Sequence, residues 1–134
     1  MPMETQNKEN RLPLEQRRAR HAWEKAKEGI QAEAEQECKK GEYANIAKAL
    51  PALIMNSGLM QVMAFCQDEK RKCHQMVALH LRQWLHNQFN TPIEFEDFME
   101  ELMQADAAKF QRINAEAMAW LKWLRQMAAA RQGG

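Results

Sequence analysis

Strand-forming residues are scarce in this chain. Among 134 residues there are 2 valines, 5 isoleucines and 2 threonines, with a single serine and 5 glycines. β-branched side chains are the usual material of strands, so a β-sandwich or a parallel α/β sheet has almost nothing to be built from. No apolar run approaches the roughly 20 residues that cross a bilayer. The opening Met1-Pro2-Met3-Glu4-Thr5-Gln6 lacks the basic-then-apolar pattern of a secretory signal. These two absences predict a cytoplasmic protein with no membrane partner. Cysteine is sparse and odd in number: Cys38, Cys66 and Cys73 form no Cys-x-x-Cys pair. In a reducing cytosol that pattern predicts three free thiols. Neither sign of charge dominates, with 19 basic and 18 acidic residues and a net charge of +1. Attraction to a polyanion must then come from local patches rather than a global field.

Catalytic signatures are missing too. The chain has no glycine-rich phosphate loop, no nucleophile elbow and no His-Glu-x-x-His. Ser57 sits in a turn, where capping accounts for it. The expectation is a protein that is not an enzyme, with no catalytic residue, no cofactor and no bound metal.

Helix formers are abundant: 20 Ala, 15 Glu, 13 Gln, 11 Leu and 10 Met. The fold class they predict is all-α, a compact single-domain helical bundle with long N- and C-terminal helices and shorter helices between. Polar residues 1–12 read as a flexible leader, 13–131 as one helical domain and 132–134 as a frayed end. The first helix is expected from Pro13 to Lys40. Ala19, Ala22, Trp23, Ala26, Ile30, Ala34 and Cys38 form its apolar stripe, and Gly41 its stop. Gly29 weakens its middle. Residues 42–67 read as short helices: Pro51 interrupts the first and starts a new turn, and Asn56-Ser57-Gly58 is a turn signal. Leu59 to Cys66 is apolar almost all round, which calls for burial. A third helix spans about Arg71 to Gln88. Thr91-Pro92-Ile93-Glu94 then reads as a capping box opening an acidic helix to about Met103. Asp106 caps the last helix, whose stripe is Phe110, Ile113, Ala117, Trp120, Leu121, Leu124 and Met127.

Three groupings invite a chemical reading. Cys66, Cys73 and His80 are seven apart. On one helix that is roughly 10 Å of axis per step, too far for shared ligation at about 2.0–2.3 Å; small apolar cysteines and a core-edge histidine are the plainer reading. The acidic run Glu94, Glu96, Asp97, Glu100, Glu101 and Asp106 contains no basic residue. Asp97 and Glu101 share a face and make a metal-dependent enzyme conceivable. A solvated face outweighs that. A third reading lays Glu96, Asp97, Glu100 and Glu101 against a basic surface of a neighbour, because the last helix carries Lys109, Arg112, Lys122, Arg125 and Arg131 against Glu116 alone. The third grouping is Arg17-Arg18-Ala19-Arg20 near the start, where guanidinium forks suit phosphate oxygens. Trp123 beside Lys122 offers an aromatic platform. Oppositely charged helices on one small body suit head-to-tail stacking of copies, which builds filaments.

Three segments together carry a resemblance. They are Arg17-Arg18-Ala19-Arg20-His21-Ala22-Trp23; then Tyr43-Ala44-Asn45-Ile46-Ala47-Lys48-Ala49-Leu50-Pro51-Ala52-Leu53-Ile54 through Gly58-Leu59 to Ala64-Phe65; then Leu102-Met103 with Ala105-Asp106-Ala107-Ala108, followed by Ala117 to Leu124. In order and spacing, over roughly residues 14–130, the chain resembles the small α-helical subunit of the Cmr-type (type III-B) CRISPR RNA-targeting complex. The resemblance implies a non-catalytic, all-α subunit that stacks in several copies opposite the guide-holding backbone subunits. Such a subunit lines the groove where guide and target RNA pair, in antiviral RNA-guided defence. Its implied partners are other copies of itself, the backbone and large subunits, and guide and target RNA. The family supplies no fixed RNA-binding motif. Charge placement in this chain selects Arg17, Arg18, Lys48, Lys122 and Arg125 as RNA contacts. Two alternatives stay open: the small subunit of the sister type III-A complex, and a helix-turn-helix DNA regulator. The second is disfavoured because Leu59 to Cys66 offers few polar groups to base edges.

Overall fold

A computed structural model describes residues 12–132. All of the expected leader except Leu12, and all of the expected frayed end except Gln132, lie outside the described residues; Gln132 continues the last helix. Six helices follow one another: α1 Leu14–Ala34, α2 Glu42–Ser57, α3 Leu59–Cys66, α4 Lys72–Phe89, α5 Phe95–Gln104 and α6 Ala107–Gln132. There is no strand among the described residues. The all-α expectation therefore holds. The frame is α1 laid along α6, with α2 also packed on α6 and α4 closing the bundle against α1, α2 and α6. The shorter α3 and α5 cover the remaining side, α3 touching α2, α4 and α5. Trp84, Trp120, Tyr43 and Phe98 are the largest side chains at the centre.

α6 is the long rod expected, 26 residues, or about 39 Å at 1.5 Å per residue. Asp106 caps it as the sequence implied: the Lys109 backbone N–H donates to Asp106 Oδ1 at 2.8 Å. The inward stripe is Ile113, Ala117, Trp120, Leu121, Leu124 and Ala128, together with Glu116.

α1 is shorter than its apolar pattern implied, ending at Ala34 instead of Lys40. Gln36 takes a left-handed φ of 67°, and the N–H groups of Glu37 and Cys38 both turn back to the Ala32 carbonyl. Cys38 stays buried, but from the loop rather than from a helical stripe. Gly41 is not the stop of α1. With φ 82° it stands at the head of α2, a conformation glycine adopts without strain. Glu33, near the end of α1, reaches over to this point. Its carboxylate accepts the N–H of Gly41 at 2.8 Å and of Tyr43 at 3.2 Å, satisfying donors the first turn of α2 leaves unpaired.

Two further expectations need correction. Pro51 does not interrupt α2, which runs through it to Ser57. The break comes at Gly58, whose φ 85° and ψ 156° belong to a region open essentially to glycine alone. Burial of Ile46, Leu50 and Ile54 on the face packed inward outweighs the proline's lost hydrogen bond. The Thr91–Glu94 capping box does not form. Thr91 is fully buried with its hydroxyl unpartnered among the described residues, and α5 starts at Phe95 after an extended Glu94 with no side-chain cap. The segment is held from α4 instead: His86 Nδ1 donates to the Thr91 carbonyl at 2.7 Å, and Arg82 Nε to the Ile93 carbonyl at 2.6 Å.

The expectation of three free thiols also fails. Cys38 and Cys73 are joined by a disulfide with Cα atoms 5.2 Å apart, tying the α1–α2 loop to the first turn of α4. Only Cys66 is free among the described residues, and burial pushes its thiol up to about 11. Cys66, Cys73 and His80 do not share a helix, since Cys66 ends α3 while the other two lie on α4.

Candidate nucleic-acid interface

Lys122 and Arg125 are exposed and three residues apart on α6, so they project from one face of that helix. Lys48 is exposed on α2. None of the three has a carboxylate partner among the described residues. Their charges face solvent, as phosphate contact requires.

The arginine cluster on α1 divides. Arg17 is half-buried and Arg20 exposed, neither with an ion-pair partner among the described residues. Arg18 turns inward. Its Nε and Nη2 donate to Glu116 Oε2 and Oε1 at 2.7 and 2.8 Å, a two-pronged bridge between α1 and α6. The indole N–H of Trp84 donates to Glu116 Oε2 at 3.0 Å, so one carboxylate joins three helices. The hydrogen bond to Glu116 holds the Arg18 guanidinium above its ordinary value, against the opposing pull of burial. As an RNA contact, Arg18 is thus poorly placed: its fork is already engaged. By sequence, Glu116 is the lone acid of a basic face. Its place on the buried stripe, one residue before Ala117, was the available sign that it needed a partner from elsewhere.

Trp123 is not an open platform. It is half-buried against the core, and its N–H is held by Glu15 at the head of α1. The exposed indole is Trp23, which its spacing places in the inward stripe. The Arg131 guanidinium lies over its ring at 3.7 Å and donates through Nε to the Trp23 carbonyl at 3.2 Å. This stacked pair closes the outer side of the α1–α6 seam.

On α5, Glu96, Asp97 and Glu100 are exposed, while Phe98 and Leu102 are buried behind them. Glu101 is half-buried and pairs with Lys109 of α6 at 3.5 Å. Met103, at the end of the same helix, is 65% exposed. An acidic face with an apolar residue beside it is a surface suited to a basic partner.

Behind these surfaces two buried polar groups, Tyr43 and His80, meet an exposed carboxylate, Glu28, and all three are far apart in sequence. Tyr43 bonds His80 Nδ1 through its hydroxyl at 2.7 Å, and Glu28 lies 3.6 Å from His80 Nε2. A proton on Nε2 faces the carboxylate and leaves Nδ1 to accept from the tyrosine. Burial lowers His80 to about 3, with Lys25 adding to the effect. His21 is lowered to about 4, again first by burial and then by Lys25. Its ring sits between Trp84 and Trp120 at centroid distances of 5.1 and 5.4 Å. Both histidines are neutral near pH 7. Where three possible ligand groups converge among the described residues, they are Cys38, Glu42 and Cys73, two of whose sulfurs are bonded to each other.

The described residues form an all-α body with exposed cations on α2 and α6 and exposed acids on α5. A family model described as CRISPR-associated protein (Cas_Cmr5) matches residues 14–131. The chain belongs to that family. It is 27% identical over 112 residues to the CRISPR system Cmr subunit Cmr5 of Thermus thermophilus, covering 84% of this chain and 90% of that protein. It is also similar to the crystal structure of a CRISPR-associated Cmr5 family protein from the same organism. That comparison gives a TM-score of 0.71 at 27% identity, over 87% of this chain and 97% of the other. The likeness extends over most of both chains, and the family it supports is the type III-B one rather than either alternative.

Proposed function

We propose that this chain is a non-catalytic small subunit of a type III-B CRISPR ribonucleoprotein, acting in the cytoplasm. Several copies stack along the particle beside its backbone and large subunits and line the groove that holds guide and target RNA. Sequence choice is left to base pairing, and this subunit contributes phosphate contacts. Family membership across residues 14–131 carries the reading. The charge layout supports it: cations without a carboxylate partner among the described residues stand on α2 and α6, and the exposed acids Glu96, Asp97 and Glu100 stand on α5. Lys48, Lys122, Arg125 and Arg17 are the RNA contacts of this proposal. Arg18 acts beneath them by fixing α1 to α6. The acidic face of α5 meets a neighbouring subunit.

Co-expression with the neighbouring genes tests the assignment. The chain is expected to co-purify in a particle that contains guide RNA. A particle that assembles while the chain elutes alone overturns the proposal.

A further inference from the structure

Beside the α1–α6 seam lies a concave site that the surface charges alone do not describe. A cleft of about 270 Å³ opens between α1 and α4, the volume of roughly nine waters. Arg17, Arg20, His21 and Lys25 line it from α1, and Asn87 faces them from α4. Lys25 donates to Glu28 at 2.9 Å, whereas Arg17 and Arg20 have no carboxylate partner among the described residues. Two polar atoms in this lining, Arg17 Nε and His21 Nδ1, are shielded from solvent and have no hydrogen-bond partner among the described residues. A buried donor left unpaired is costly, and an anion in the cleft offers an acceptor toward which the Arg17 and His21 side chains can turn. Glu24 is the one carboxylate of the lining.

We infer that this cleft is a phosphate-binding pocket, with Arg17 and Arg20 holding the anion and His21 and Asn87 supplying neutral hydrogen bonds. The source of the phosphate, a diester of an RNA backbone, rests on the function proposed above; the pocket itself does not. Arg17 and Arg20 are three residues apart on one helical face and can share a single phosphate. Glu24 opposes them and sets a limit on the affinity.

The test uses the full chain and follows the His21 ring by nitrogen-15 NMR while inorganic phosphate is added. Phosphate is expected to shift the His21 signals and raise the pH at which the ring titrates. Arg17→Gln and Arg20→Gln together weaken binding by about tenfold or more, and Glu24→Gln tightens it. Arg20 is exposed, so Arg20→Gln alone gives a variant whose fold is not at stake, and Arg71→Gln, outside the cleft, leaves binding unchanged. Unmoved His21 signals, or equal affinity in the double variant, overturn the pocket. A single-stranded RNA oligonucleotide forms the second arm. Shifts of the same signals at lower concentration than free phosphate needs identify the backbone diester as the source. Shifts by phosphate alone keep the pocket and remove RNA as its ligand. Target retention by the assembled particle after Lys122→Glu and Arg125→Glu reads the broader proposal separately, since neither residue lines the cleft.

Discussion

Single residues in this molecule act on partners that lie far from them in sequence. Gly29 is the clearest example. A Cβ at position 29 would collide with the ring of Tyr43, which is fully buried and bonded to His80 and so has little room to retreat. Gly29→Ala gains helix propensity but is expected to lose about 1–3 kcal/mol to overpacking, with a net fall in melting temperature. A rise would show that the ring moves aside. The Arg18–Glu116 bridge gives a second prediction. Arg18→Ala leaves a buried carboxylate with only Trp84 as partner and should destabilise by about 3 kcal/mol, read from urea midpoints. Reversal to Glu should be worse, so Arg18 cannot serve as a clean probe of RNA contact. Protonation supplies the third. His21 and His80 are depressed in the folded state, to about 4 and about 3, below the ordinary value of about 6.5. The unfolded chain therefore takes up protons first as pH falls. Their stabilising contribution is fully present above about pH 6.5 and is lost progressively toward about pH 3. Melting temperature should be flat above neutrality and decline through that window, and His80→Gln should flatten the decline.

At the level of helices and loops, the pattern of spacing was a good guide where an element's own residues decide its fate. The inward face of α6 and the Asp106 cap are both local properties, and they were legible. The end of α1 was not. Ala34 and Cys38 continue the three- and four-residue rhythm, yet the chain leaves the helix at Glu35 because Glu33 is needed to cap α2 and Cys38 to reach Cys73. Both demands come from outside the helix itself. Thr91 failed for a similar reason: α4 supplies donors to the loop carbonyls, and the threonine is drawn inward. The disulfide closes a loop between positions 35 residues apart. Removing it by reduction, or by Cys38→Ser with Cys73→Ser, should cost about 3–4 kcal/mol through the freed entropy of the unfolded chain. The α1–α2 loop should then exchange amide hydrogens faster, while the α1–α6 seam keeps its protection. Uniform loss of protection would show that the loop is part of one cooperative unit.

For the molecule as a whole, the sequence disclosed class and family better than it disclosed the interface. Composition pointed to a helical bundle, and the order of segments over roughly residues 14–130 pointed to a Cmr-type subunit. Which cations remain available was hidden, because a charge is free only when the fold places no acid against it. Arg18 and Glu116 stand 98 positions apart and cancel each other. Lys48, Lys122 and Arg125 have no carboxylate partner among the described residues. If these three touch phosphates, target-RNA affinity of the assembled particle must fall log-linearly with added salt. The triple variant Lys48→Gln, Lys122→Gln, Arg125→Gln must then bind more weakly, with a slope shallower by about 0.7–0.9 for each phosphate it no longer neutralises. The same affinity and the same slope in the variant particle would contradict a role for this face in holding RNA.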